Sequence, residues 1–191
     1  NFKNSNKPDP INQLGFATLH ATMPINFSQN TLASLESVKN ALFETNSCIQ
    51  ISSHNFNRFG KVEAEIIGGN LSILYSLLGS ISDVNTVQKI LFLEDIDEHL
   101  YHIDRMMINM KRNEKFKHLM GMVIGGMSEM NDNHIPFGKT AEEIILDHVK
   151  EYDFPVCFNF PSGHLDDNRA IRLGVTSVLD INENGVSLSQ F

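Results

Sequence analysis

The chain is predicted to fold as an α/β domain built on a mixed sheet with flanking helices, and three observations carry that expectation. First, KILFLED (89–95) and HLMGMVIGGM (118–127) are near-continuous apolar runs of strand length, as expected of strands covered on both faces. Second, helix-spaced stretches separate such runs. Third, the chain ends in two alternating segments joined by Asn184-Gly185, a hairpin signal that makes the sheet mixed. At 191 residues, 41% hydrophobic and 20% charged, the chain has the composition of one ordinary globular domain.

Residues 1–12 (NFKNSNKPDPIN) are polar and turn-rich and read as linker or frayed terminus. GFATLHATMPINF (15–27) offers one short strand before Pro24 stops it. In TLASLESVKNAL (31–42), Leu32, Leu35, Val38 and Leu42 fall on one face behind a Ser28 or Asn30 cap, which predicts a surface helix. Strands follow at 48–52 and 61–67, joined through a turn at Gly60. A strand then ends at Gly68-Gly69, Asn70 caps a buried helix over 71–78, and Gly79 terminates it.

After the strand at 89–95, Ile96, Leu100, Ile103, Met107 and Met110 recur at helical spacing over 96–112. Acids lie at the start of that stretch and Lys111-Arg112 at its end, as the helix dipole favours. The strand at 118–127 ends in glycines. Thr140 and Glu143 form a capping box for a helix to about Lys150. FPVCFNF (154–160) is a strand leading into the turn Pro161-Ser162-Gly163-His164, and the last strands lie near 171–180 and 186–190. Cys48 and Cys157 sit in strand-like apolar runs and are expected to be buried free thiols of a reducing, cytoplasmic compartment.

A formal charge of −8 without any cluster of Lys and Arg argues against nucleic-acid and membrane partners. No apolar run approaches the length of a membrane span. Reactive groups follow buried strands at three places: Glu94-Asp95, Gly125-Gly126 and His164. Strand carboxyl ends are where α/β sheets collect ligands and catalytic groups. A carboxylate beside an imidazole fixes its tautomer and stabilises the imidazolium, as a general base requires. On spacing alone, a cap-region acid and a turn histidine remain the plainer account of Glu94 and His164.

Other groupings point less sharply. Glu94, Asp95, Asp97, Glu98, His99 and His102 lack any HExxH-type ligand pattern, so a solvated acidic helix start is expected and no metal. Gly68-Gly69-Asn70 lacks the Walker lysine and the full GxGxxG pattern, so no nucleotide cofactor is expected. Ser162 fits no GxSxG elbow. Cys157 has no activating neighbour in sequence and is expected to be inert.

Several strings, in order, resemble the LD-carboxypeptidase family of Ser-Glu-His serine peptidases, which includes the microcin C immunity proteins. They are GGNLSILYSLLGS (68–80), KILFLEDIDEHLYHIDRMM (89–107), PFGKTAEEII (136–145), FPVCFNFPSGH (154–164) and NRAIRLG (168–174). The resemblance implies a swivelling β/β/α-like domain over 28–191, with 1–27 a linker and remnant of an amino-terminal domain. It maps the family's glutamate to Glu94 and its histidine to His164, with Glu98 a less favoured second acid.

The family's serine lies in an amino-terminal domain, on a GxSDxT turn that has no counterpart here, while GFATLHATMP (15–24) resembles the segment just after it. The resemblance therefore implies a chain that contributes Glu and His and is inactive alone. Its implied substrate is a murein tetrapeptide, cut to release the terminal D-amino acid during cell-wall recycling. Implied partners are the missing amino-terminal domain and, as an open expectation, a second copy in a homodimer. The alternatives are a non-catalytic peptidoglycan-peptide binding domain and a microcin C immunity-type amide hydrolase.

Overall fold

The computed structural model describes residues 15–191; the expectations for residues 1–14 lie outside them. Four parallel strands form the centre and one flank of a seven-stranded sheet: β3 (Gly60–Asn70), β4 (Ile90–Ile96), β5 (Gly121–Ser128) and β6 (Val156–Cys157). Antiparallel strands extend it on the other side of β3: β8 (Val175–Asn182), β9 (Gly185–Gln190) and β2 (Ser47–Ile51). The spatial order is β2-β9-β8-β3-β4-β5-β6, so the sheet is mixed, as its patterning predicts. A two-stranded ribbon, β1 (Thr18–His20) against β7 (Ile171–Leu173), forms a second, separate sheet.

Strand alternation sends successive side chains to opposite faces, and β4 shows what this does. Leu91 and Leu93 join a core with Ile67, Met122, Ile124 and the buried sides of α2 (Leu71–Leu77), α3 (Leu100–Arg112) and α4 (Ala141–Val149). Ile90 and Phe92 enter a second core with Ile66, Val123, Ile171, Leu173, Leu179 and Leu188. Both faces of β4 are therefore dry, which explains its uninterrupted apolar run. In α3 the stripe Ile103, Met106, Met107 and Met110 is fully buried, and α4 opens with the expected Thr140/Glu143 capping box.

Several local expectations are corrected. The helix α1 (Leu32–Phe43) forms with Thr31, not Ser28 or Asn30, as its cap, and it does not dock through its leucines. Leu32 and Leu42 are exposed, and Ser34 is its one buried residue. Ser34 Oγ donates to the Asn168 carbonyl at 2.7 Å, and Ser37 Oγ accepts from the Ala170 N–H at 2.8 Å. A polar seam therefore holds α1 against residues 168–170, where periodicity alone points to an apolar one.

The strand expected over 61–67 runs through both glycines to Asn70. The helix expected from Ile96 starts at Leu100, because Ile96 completes β4 and Asp97 adopts a left-handed φ of 58°. The strand expected over 154–160 shrinks to two residues, since Asn57 Oδ1 takes the Phe158 N–H and Asn159 turns to φ 56°. The single strand expected near 171–180 is broken at Gly174, whose N–H donates to the Ile66 carbonyl. Cys48, expected to be buried, is exposed on β2. Among the described residues no helix is long and apolar enough to cross a membrane.

Candidate active site

Glu94 is the fifth residue of β4 and points to the same face as Phe92, while Asp95 points to the other. That alternation gives two adjacent acids different jobs. Asp95 turns under the start of α2, where its carboxylate accepts from Asn70 Nδ2 (2.8 Å) and the Ser72 N–H (2.9 Å). Burial raises its pKa, and hydrogen bonds from the Ile96 N–H, Asn70 and Ser72 oppose that rise. The start of α2 is thus already served by the chain's own carboxylate and not left open to an external anion. Gly68 serves packing: a Cβ there would lie 1.9 Å from the Phe92 carbonyl oxygen.

Glu94 is 1% exposed. Its Oε2 lies 2.7 Å from Nδ1 of His164, a residue 70 positions further on and half exposed. A carboxylate can only accept, so Nδ1 carries the proton and Nε2 is left as the basic nitrogen. Nε2 takes no hydrogen bond from the described residues. A buried acid with a half-exposed imidazole is the arrangement a general base needs: one end is held, and the other faces the reactants.

The turn carrying His164 is held at several points. The Gly126 N–H donates to the Ser162 carbonyl (2.9 Å), the Arg169 N–H to the Pro161 carbonyl (2.7 Å), and the Gly163 N–H to Asn168 Oδ1 (3.0 Å). Ser128 Oγ donates to the His164 carbonyl at 2.7 Å. The third strand-end feature, Gly125-Gly126, is part of this scaffold. A Cβ on Gly125 would fall 2.3 Å from the Ser162 carbonyl oxygen, and one on Gly126 would fall 2.8 Å from Leu165. Those glycines let the histidine turn close onto β5.

A cavity of about 580 Å³ opens beside the pair, with His20, Thr22, Asn26, Asn30, His164 and Asp166 in its wall. His20 was not singled out in the sequence. Its ring meets that of Phe92 edge-on at 4.9 Å between centroids, and β1 brings it there by pairing opposite Ile171. Burial lowers its pKa; the Glu94 carboxylate partly offsets this, and His164 adds to it.

The remaining groupings part company. Glu98 does not join Glu94; its Oε2 pairs with His102 Nδ1 at 2.6 Å. Among the described residues, no group of three His, Cys, Asp or Glu side chains is arranged to hold a metal ion. Ser162 is fully buried, and its hydroxyl has no hydrogen-bond partner among the described residues. Cys157 is buried as expected, and burial pushes its thiol up to about 12.

Residues 63–179 match the family described as LD-carboxypeptidase C-terminal domain. This chain belongs to that family. A probable murein peptide carboxypeptidase of Bacillus subtilis is 32% identical over 128 residues, covering 65% of this chain and 39% of the relative. The murein tetrapeptide carboxypeptidase of Pseudomonas aeruginosa is 28% identical over 155 residues, 81% of this chain and 50% of the relative. The chain thus spans half or less of the length of these two curated relatives.

In fold, it is similar to the muramoyltetrapeptide carboxypeptidase of Oxalobacter formigenes (TM-score 0.85, 22% identity, 94% of this chain and 63% of that one). It is also similar to the wild-type microcin C7 self-immunity protein MccF (TM-score 0.77, 19% identity, 94% and 63%).

Proposed function

We propose that this chain supplies the acid-base half of a serine-type LD-carboxypeptidase acting on murein tetrapeptides in the cytoplasm during cell-wall recycling. The observation that carries the reading is the 2.7 Å contact between buried Glu94 and half-exposed His164 at the edge of a cavity. The names of the curated relatives supply the substrate class.

In this reading the nucleophile is a serine on an amino-terminal domain outside residues 15–191. His164 Nε2 takes the serine proton as the serine oxygen attacks the carbonyl preceding the terminal D-residue. Glu94 holds the imidazolium that results. The same proton passes to the amine of the departing D-amino acid as the C–N bond breaks, leaving an acyl-enzyme. Water, deprotonated by His164, attacks the ester, and the proton returns to the serine oxygen. Without nucleophile and oxyanion donors, the chain alone has little catalytic power.

The test is release of D-alanine from a disaccharide tetrapeptide, followed by mass spectrometry. The chain is assayed alone and mixed with a separately produced amino-terminal half. Turnover on mixing that disappears in His164→Gln is expected. Turnover by the chain alone that depends on Ser162 would overturn the reading. Cleavage of an aminoacyl-nucleotide amide in place of the tetrapeptide would favour the immunity-type reading, for which the likeness to MccF speaks.

A further inference from the structure

His20 is a titratable group that the mechanism above leaves without a task, yet the fold places it with care. It sits on the short ribbon β1–β7, paired opposite Ile171, and its ring rests edge-on against Phe92, two residues before Glu94 on the same face of β4. It lines the cavity that His164 also lines. Among the described residues, none forms a hydrogen bond with its ring.

We propose that His20 is a substrate-binding residue of this site, an imidazole on the cavity wall that hydrogen-bonds a peptide unit of the substrate beside His164. The inference rests on the reading above, in which a peptide occupies that cavity. An uncharged imidazole carries one N–H donor and one bare nitrogen acceptor. A peptide unit offers a carbonyl acceptor and an N–H donor, so the two are complementary. Burial keeps the His20 ring in that uncharged form near neutral pH.

The charged and titratable groups that face it are Glu94 from β4 and His164 from the turn, with Asp166 further along the same wall. Among the described residues, no lysine or arginine lines the cavity. Its Thr22, Asn26, Gln29, Asn30 and Asn168 side chains are polar and uncharged. Together they suit a peptide backbone better than a compact anion.

The experiment measures binding of the tetrapeptide L-Ala-γ-D-Glu-L-Lys-D-Ala to the chain by calorimetry, with the histidine ring signals followed by NMR. In the unsubstituted chain the His20 ring signals shift on addition of peptide. His20→Phe keeps the aromatic contact with Phe92 and loses the hydrogen bond, so Kd rises roughly 3- to 10-fold. His20→Gln, which restores a donor and an acceptor, recovers most of that loss.

Thermal melts confirm that both variants are folded. A His20→Phe variant with Kd within about twofold of the unsubstituted chain, or a ring signal unmoved by saturating peptide, overturns the proposal. Absence of peptide binding at millimolar concentration overturns it too, even where the mixed halves turn over. Conversely, His20-dependent binding alongside mixed halves whose turnover ignores His164→Gln retains the binding role and removes the catalytic reading. The two failures are therefore distinguishable.

Discussion

Gly163→Ala tests whether the contact between strand and turn is as tight as the geometry requires. Gly163 has φ +119°, a region that side-chain-bearing residues rarely adopt, and an added Cβ would stand 2.9 Å from both Cβ and Oε2 of Glu94. Oε2 is the atom that holds His164. Glu94 has nowhere to retreat, because it is 1% exposed and its backbone lies in the sheet centre. The backbone strain costs about 1–3 kcal/mol, and forcing a methyl into a packed contact adds a further ~1–3 kcal/mol.

For a domain of this size each kcal/mol lowers Tm by roughly 2–4 °C, so a fall of roughly 4–24 °C is expected. Circular dichroism melts measure it. The NMR signal of the His164 Nδ1 proton, shifted downfield by its carboxylate partner, should move back or vanish in the same variant. A melt within about 2 °C of the parent, together with an unchanged His164 signal, would show that turn and strand are not in the close contact described.

Other expectations follow from the same structure. Ser162→Ala removes a buried hydroxyl that has no hydrogen-bond partner among the described residues, so stability should change by less than about 1 kcal/mol. Turnover by the mixed halves should be retained, and a tenfold or larger loss of turnover in a folded variant would contradict the account. With a maleimide near pH 8, exposed Cys48 should label quickly, while Cys157, buried with its thiol pushed up to about 12, should label only on unfolding. Two equivalents labelled in the native state would contradict this.

His20 has a folded-state pKa below its ordinary 6.5, so the unfolded chain binds its proton more tightly. Its contribution is fully present above about pH 6.5 and is lost as the pH falls from there through the folded-state value. Urea midpoints should therefore drop more steeply below about pH 6.5 in the parent than in His20→Phe, and parallel profiles would contradict the burial of that ring.

The legible part of this molecule was its centre. The runs at 89–95 and 118–127 announce strands covered on both faces, and the Met-rich stripe of α3 announces the helix packed on them. Glu94 and His164 were legible as strand-end groups, but their convergence across 70 positions depends on how β4 and the 161–164 turn stack, which local sequence does not encode. His20 was illegible for the same reason: β1 reaches the site only by pairing with β7, some 150 positions away.

Other misreadings have a different cause. Periodicity assigned α1 an apolar seam because leucines recur at the right spacing, yet the helix docks through a hydrogen bond donated by Ser34 and one accepted by Ser37. A small polar side chain that meets a backbone partner leaves no hydrophobic signal. The premature end of β6 likewise depends on Asn57, a side chain about a hundred positions away that captures the Phe158 N–H.

The most direct test of a joint Glu94–His164 function is a double-mutant cycle on kcat/KM for D-alanine release by the mixed halves. It compares Glu94→Gln, His164→Gln and the two combined. Residues that act as one unit cannot lose the same function twice, so the double variant should fall within about threefold of the worse single one. Losses that multiply, each substitution costing its full factor whether or not the other is present, would show that the two residues work separately.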